Sequence, residues 1–352
     1  MNLSIKFNLL IKKFLTSLIV LNLIGLTGLI SSSYAANSDD ITFDDKPLDD
    51  ALILPDWFKL SFLELDADIK EAKEQNKKGL IIYFGQKFCP YCKAHLTKNW
   101  GQNDIVDYTR KNFDVIAVNI KGQRQILDVD GKTYTEKRFS ALKKTNFTPS
   151  TLFYNTEAKE VLLLRGYRPP YQFRAALEYV ADEHYKKETF RNYLARAESA
   201  LGFGKAELNK NDHFNSPPYL LDRSRIKAEQ PLMVIFEHKR CHACDILHGG
   251  PIVRPEIESQ LLQMEVVQLD VHSEQPVLTP AGKKISAKKW AEQLNINYSP
   301  TIIFFDQKGK EIIRIESVVW FYRLHNVLKY VLTGAYKKHP TFQLWRQAQN
   351  MK

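Results

Sequence analysis

Cysteine is scarce in this chain: four residues in 352, at Cys89, Cys92, Cys241 and Cys244. No isolated thiol accompanies them, and each pair encloses too short a loop to staple a domain, so a disulfide scaffold is excluded. Glycine and proline, 15 of each, are too few for a low-complexity or collagen-like chain. Lysine and arginine blocks interleaved with aromatics are also missing. The net charge of +10 is spread along the chain and reads as a solvated surface, with no nucleic acid expected as a partner. Neither second cysteine is followed by histidine, since Lys93 and Asp245 stand there, which excludes covalent haem attachment.

What is present is enough for real cores, with 44% hydrophobic and 12% aromatic residues over a length that implies two domains. Lys6, Lys12 and Lys13, an apolar run from Phe14 to Ile30 and the small residues around Ala35 form a secretory-signal pattern over residues 1–35. The protein is therefore expected to be exported, periplasmic or beyond, without stable membrane insertion after cleavage. An uncleaved membrane anchor is the alternative. Residues 36–58 are an acidic stretch expected to be a flexible lead-in.

From there the pattern runs helix, strand, helix, strand, helix, strand, strand, helix. Phe62, Leu65, Ile69 and Ala72 recur at helical spacing, and Leu80 to Phe84 is a strand buried on both faces. The first cysteine pair follows at once. Asp130-Gly131 marks a hairpin turn, and a long helix is expected from Tyr171 to about Tyr185. The whole order then recurs. Gly131, Pro149, Phe153 and Tyr179 lie 151 residues before Gly282, Pro300, Phe304 and Tyr330, and the cysteines repeat at 152. One fold is used twice, over 59–200 and 222–352, each copy with a C-terminal helical extension. Gly202, Asn209, Asn215, Pro217 and Pro218 mark 201–221 as the linker.

A cysteine placed just after a buried strand, at the first turn of a helix, meets unpaired amide groups that stabilise its thiolate. Cys89 and Cys241 are then the attacking sulfurs, and Cys92 and Cys244 resolve the mixed disulfide. Zinc or copper binding through the pairs, with His95 or His248 as further ligands, is the alternative, although Cys92 and Cys241 stand 149 residues apart, beyond zinc-ribbon spacing. A redox-linked chaperone or binding module is a second alternative.

Strand, Cys-x-x-Cys at a helix start, and a proline some 60 residues on, preceded by Thr or Ser and followed by a strand, resemble the thioredoxin superfamily. The likeness covers both halves and is greatest to exported thioredoxin-related proteins of bacterial sulfur-oxidation and cytochrome-maturation systems. It implies an α/β protein of two tandem thioredoxin-like domains, each a central mixed sheet flanked by helices. It also implies that Pro149 and Pro300 are cis and that Thr148 and Ser299 offer backbone hydrogen bonds to a bound peptide. The activity it implies is thiol-disulfide exchange with other exported proteins, as reductase or isomerase rather than oxidase. No cofactor is implied beyond the redox-active cysteines, and a membrane thiol-electron transporter is the implied electron partner. Thioredoxin's buried acid, six residues before the first cysteine, is replaced by Tyr83 and Ile235. Lys87 and Lys93 flank Cys89, whereas His238, Lys239, Arg240 and His242 surround Cys241. Cys241 is therefore expected to be the more acidic thiol and its pair the more easily reduced.

Overall fold

The computed structural model describes residues 42–201 and 207–350, and the expected signal segment lies outside them. The first domain contains α1 (Leu65–Glu74), β1 (Gly79–Gly85), α2 (Pro90–Ala94, continued by a π turn, His95–Asn99), α3 (Asn103–Asn112), β2 (Phe113–Asn119), β3 (Gln125–Leu127), β4 (Thr133–Thr135), α4 (Glu136–Leu142), β5 (Ser150–Asn155), β6 (Glu160–Arg165), α5 (Pro170–Ala181) and α6 (Phe190–Leu201). β1 is buried along its whole length because it serves two cores. The two-residue period sends Leu80, Ile82 and Phe84 toward Leu65, Ile69 and Phe139, and Ile81 and Tyr83 toward Trp100 and Phe173. β2 pairs with it in parallel and β5 antiparallel, giving the order β2-β1-β5-β6.

The second domain has a short strand, β7 (Tyr219–Leu220), where the expected repeat called for a helix like α1, and from there follows the first with β8 (Leu232–Glu237), α7 (His242–Gly249), α8 (Pro255–Leu261), β9 (Glu265–Asp270), β10 (Pro276–Leu278), β11 (Lys284–Ser286), α9 (Ala287–Gln293), β12 (Thr301–Phe305), β13 (Glu311–Ile315), α10 (Phe321–Leu332) and α11 (Phe342–Asn350). Its sheet order, β9-β8-β12-β13, is that of the first. Met233 and Ile235 face one core, while Leu232, Val234 and Phe236 face the other. This is an α/β protein built from two units that share one sheet topology.

Several boundaries differ from the sequence expectations. The lead-in is not free from Thr42 on: Leu52 N–H donates to the Lys87 carbonyl at 2.8 Å, and Phe43 sets its ring edge against Tyr91 and Tyr167. Aromatic burial and a caged carboxylate at Asp45 outweigh the acidic composition there. Phe62 is 97% exposed, because α1 begins only at Leu65 and Phe62 precedes its apolar face. Tyr219–Leu220, within the expected linker, instead adds a strand to β10 of the second domain. The long helix stops at Ala181, and Glu183, at φ 57°, breaks it before a single 3-10 turn.

The two domains meet through equivalent residues. Arg165 pairs with Glu316 at 3.4 Å, and Val318 N–H donates to the Tyr167 carbonyl at 3.3 Å. Gly166 packs on Ser317 so closely that a Cβ built on it would lie 2.2 Å from Ser317 Oγ. Each of these pairs is separated by the repeat offset of 151 residues. A contact between equivalent positions is the mark of a local twofold, here within one chain. Gly166 also has φ +84°, in the left-handed region. Gly166→Ala is therefore expected to cost about 2–4 kcal/mol through strain and overpacking together. A urea midpoint unchanged from the parent protein would contradict this reading of the interface.

Candidate active sites

Both cysteine pairs sit where a central strand hands over to a helix. Cys89 and Cys241 are N-caps in extended conformation, and their Sγ atoms accept the amide N–H of Cys92 at 3.0 Å and of Cys244 at 3.2 Å. The pairs are closed as disulfides with Cα atoms 5.1 and 5.2 Å apart, within the ordinary range. Opening either leaves the first sulfur facing the same amide, which favours its thiolate. The second sulfurs lie deeper, at 0% exposure for Cys92 and 1% for Cys244, against 3% and 6% for the first. The first cysteine of each pair is therefore the more accessible one.

The proline turns close over these sulfurs. The Thr148-Pro149 and Ser299-Pro300 peptide bonds are cis. Cys89 Sγ lies 3.2 Å from Thr148 Oγ1 and 3.6 Å from the Thr148 carbonyl, and Cys241 Sγ lies 3.6 Å from the Ser299 carbonyl. Gln86 donates to Thr148 Oγ1 at 2.9 Å and fixes that hydroxyl.

Beneath the pairs the domains diverge. Tyr83 takes the place of an acid, its hydroxyl buried without a hydrogen-bond partner among the described residues, and burial keeps it protonated far above its ordinary range. The neighbouring His95 ring stacks on it, 5.8 Å between centroids, and accepts from Asn99 Nδ2 through Nδ1. Burial lowers the His95 pKa to about 3 and holds it neutral. The second domain instead buries a carboxylate four residues before its first cysteine. Glu237, at 0% exposure, faces His248 Nε2 at 2.9 Å and accepts from Gln268 Nε2 at 2.7 Å. His248 lies one helical turn beyond Cys244, on the same face of α7. Sequence reasoning missed this pair. The available signal was a charged residue directly ending an apolar strand.

His95 makes stability depend on pH. Its folded pKa is depressed, so between about 6.5 and 3 the unfolded chain binds a proton that the native state does not. Stability is then expected to fall as pH drops through that window, by up to about 1.4 kcal/mol per unit from this residue. His95→Leu, which copies the equivalent Leu247, should flatten the slope in urea titrations at pH 7 and pH 5. An identical slope in the variant would assign the loss elsewhere.

Of the residues expected to tune the thiols, Lys87, Lys93, Lys239 and Arg240 are exposed and His238 and His242 half-buried. His238, Lys239 and Arg240 line a cleft of about 600 Å³ beside Cys241, walled from the first domain by Gln172 and by Arg191 of α6. Cys89 itself lines a smaller cleft of about 310 Å³, walled by Arg323 of α10 and by Gln343 and Arg346 of α11. Gln172 and Arg323 are equivalent at offset 151, so each site faces the same element of the other domain.

The closure over Cys89 is extensive. Tyr91, inside the first Cys-x-x-Cys, donates its hydroxyl to Asp45 at 2.9 Å and accepts from Trp320 N–H at 2.9 Å. Asp45 also accepts the amides of Tyr322 at 3.0 Å and Arg323 at 2.9 Å, at the start of α10. The Arg323 guanidinium lies 3.3 Å from the Tyr91 ring centre and donates to the Thr148 carbonyl at 3.0 Å.

No curated protein matches the chain. Among solved structures, a thioredoxin-fold protein from Helicobacter pylori is 23% identical over 36% of this chain and 83% of its own, with a TM-score of 0.30. The DsbH oxidoreductase is 17% identical over 36% and 95%, at a TM-score of 0.25. The C-terminal domain of Neisseria meningitidis DsbD, in its reduced form, is 17% identical over 33% and 93%, also at 0.25. The family model described as a thioredoxin-like domain matches twice, over residues 65–181 and 222–332. Two such domains, each with a Cys-x-x-Cys at disulfide distance, support a thiol-disulfide redox function of the general oxidoreductase type. The chain belongs to the thioredoxin-like domain family and carries that domain twice.

Proposed function

We propose that this protein is an exported thiol-disulfide oxidoreductase that exchanges disulfides with other exported proteins, as a reductase or isomerase, its electrons supplied by a membrane thiol-electron transporter. The observation that carries the reading is the placement of Cys89 and Cys241 as helix N-caps, each sulfur held by the amide of its resolving partner. In the reductive direction the first thiolate attacks a substrate disulfide and the second displaces the reduced substrate, leaving the intrachain disulfide. Surroundings support reduction at the first site, because the buried Cys92 shares its core with the uncharged Tyr83, on which the neutral His95 stacks, and burial disfavours a thiolate there. Where burial disfavours ionisation of the second sulfur, the dithiol form is less stabilised and gives up electrons more readily. The cations around Cys241 act in the opposite sense, so electrons are expected to pass toward the second pair.

Turnover of insulin disulfides in the presence of dithiothreitol tests the reading. Catalysed reduction well above the dithiothreitol background is expected. No acceleration by the fully reduced, metal-free protein, or tight stoichiometric zinc on the thiols, would overturn it.

A further inference from the structure

The cleft at Cys89 has features that a peptide-binding groove does not need. Extended peptides dock on such folds through main-chain hydrogen bonds. Here the Thr148 carbonyl beside Cys89 is already engaged by Arg323 of the other domain. The remaining space, about 310 Å³, is at the lower end of small-molecule sites. Its charge is one-sided. Lys121 follows β2 in the first domain and Arg346 lies on α11 of the second, and both line the cleft. Neither has a carboxylate partner among the described residues, and Arg346 acts on Lys121 as a like charge. Asp45, which also lines the cleft, is turned to Tyr91 and the α10 amides. Two convergent cations without a counter-charge, next to a redox-active sulfur, call for an anion on the molecule that reacts there.

We propose that the Cys89–Cys92 site exchanges with a low-molecular-weight, carboxylate-bearing thiol or disulfide, whose carboxylate is held between Lys121 and Arg346 while its sulfur meets Cys89. This rests on the thiol-disulfide reading above and narrows the substrate at one of its two sites. With the pair reduced, the Cys89 thiolate attacks one sulfur of the disulfide RSSR. A Cys89–S–S–R bond forms, the RS–SR bond breaks and RS⁻ leaves. The Cys92 thiolate then attacks Cys89 Sγ, forming the intrachain disulfide and releasing the second RS⁻. Two electrons pass from the dithiol to RSSR, and the two thiol protons go to the released thiolates.

The test uses full-length Cys241→Ser/Cys244→Ser protein, in which only the first pair reacts, reduced beforehand with dithiothreitol and desalted. Its oxidation is followed by quenched alkylation and mass measurement, with 3,3′-dithiodipropionate as the dianionic probe and 2-hydroxyethyl disulfide as the neutral one. Each rate is divided by that probe's rate with free dithiothreitol. The normalised ratio of dianion to neutral is expected to be about 10 at low salt, to fall toward 1 in 0.5 M salt, and to fall likewise in Lys121→Gln/Arg346→Gln protein. A ratio near 1 in the parent, or one untouched by the double substitution, overturns the proposal while leaving the general redox reading intact. Failure of both probes to oxidise the pair at all sinks that reading too. An unfolded chain would also lose the preference, so the double variant is read together with its urea midpoint, and where that midpoint falls below the parent's, the salt dependence of the parent's own ratio decides.

Discussion

Replacing both Cys89 and Cys241 by serine is expected to lower disulfide-exchange activity on the order of 10³-fold or more, with the fold intact. The loss follows from nucleophile chemistry: the thiolate attacks, and a serine hydroxyl is not ionised at neutral pH. The preserved fold follows from local structure. Each cysteine caps its helix through the sulfur, and serine is among the preferred N-cap residues, so the helix start keeps its acceptor. Cys92→Ser or Cys244→Ser has a different signature, since attack still occurs and resolution does not, and a mixed disulfide with substrate accumulates. Insulin turnover and intact-mass analysis measure the two outcomes. Activity within tenfold of the parent in the double serine variant would place the chemistry elsewhere.

Asp45→Ala is the second large effect expected. Its carboxylate, 7% exposed, accepts from Tyr91 and from two backbone amides at the start of α10, beside the half-buried Arg323 guanidinium. Removing it leaves three donors without their acceptor beside a half-buried cation, a loss of about 3 kcal/mol. The effect should also appear locally: with the strap released, α10 no longer closes over Tyr91, and alkylation of reduced Cys89 should rise about tenfold through local opening. Cys241, lying outside this strap, serves as the internal control. A variant with unchanged urea midpoint and unchanged Cys89 alkylation would show that the lead-in does not close this site.

Much of this architecture was legible in the chain. Leu80–Phe84 and Leu232–Phe236 are continuous apolar runs because each strand serves two cores, and the shared 151-residue offset exposed the duplication before any contact was known. The cysteines announced their helix-capping position through the strand before them. What could not be read is what depends on the two copies meeting. Offset arithmetic pairs Gly166 with Ser317, but nothing in one dimension says that these equivalents touch. Asp45 sits in an acidic stretch that looks solvated, and its burial comes from amides 277 and 278 residues away. Lys121 and Arg346 read as ordinary surface cations until the dyad sets them in one cleft. Glu237 was hidden for a different reason. Its partner His248 lies on another element, and a carboxylate closing a strand is usually a solvated end.

The most direct measurement of the central claim is a redox titration of the full chain by quenched alkylation across a glutathione series, with peptide mapping to separate the pairs. Two independent two-electron transitions are expected, one for Cys89–Cys92 and one for Cys241–Cys244. The second pair, flanked in sequence by His238, Lys239, Arg240 and His242 and without the uncharged Tyr83–His95 stack of the first, should be reduced at the less negative potential, each tenfold difference in equilibrium constant appearing as about 30 mV. Contradiction would take the form of cysteines that stay fully reduced or fully oxidised between about −120 and −270 mV, the span of known members of this chemistry.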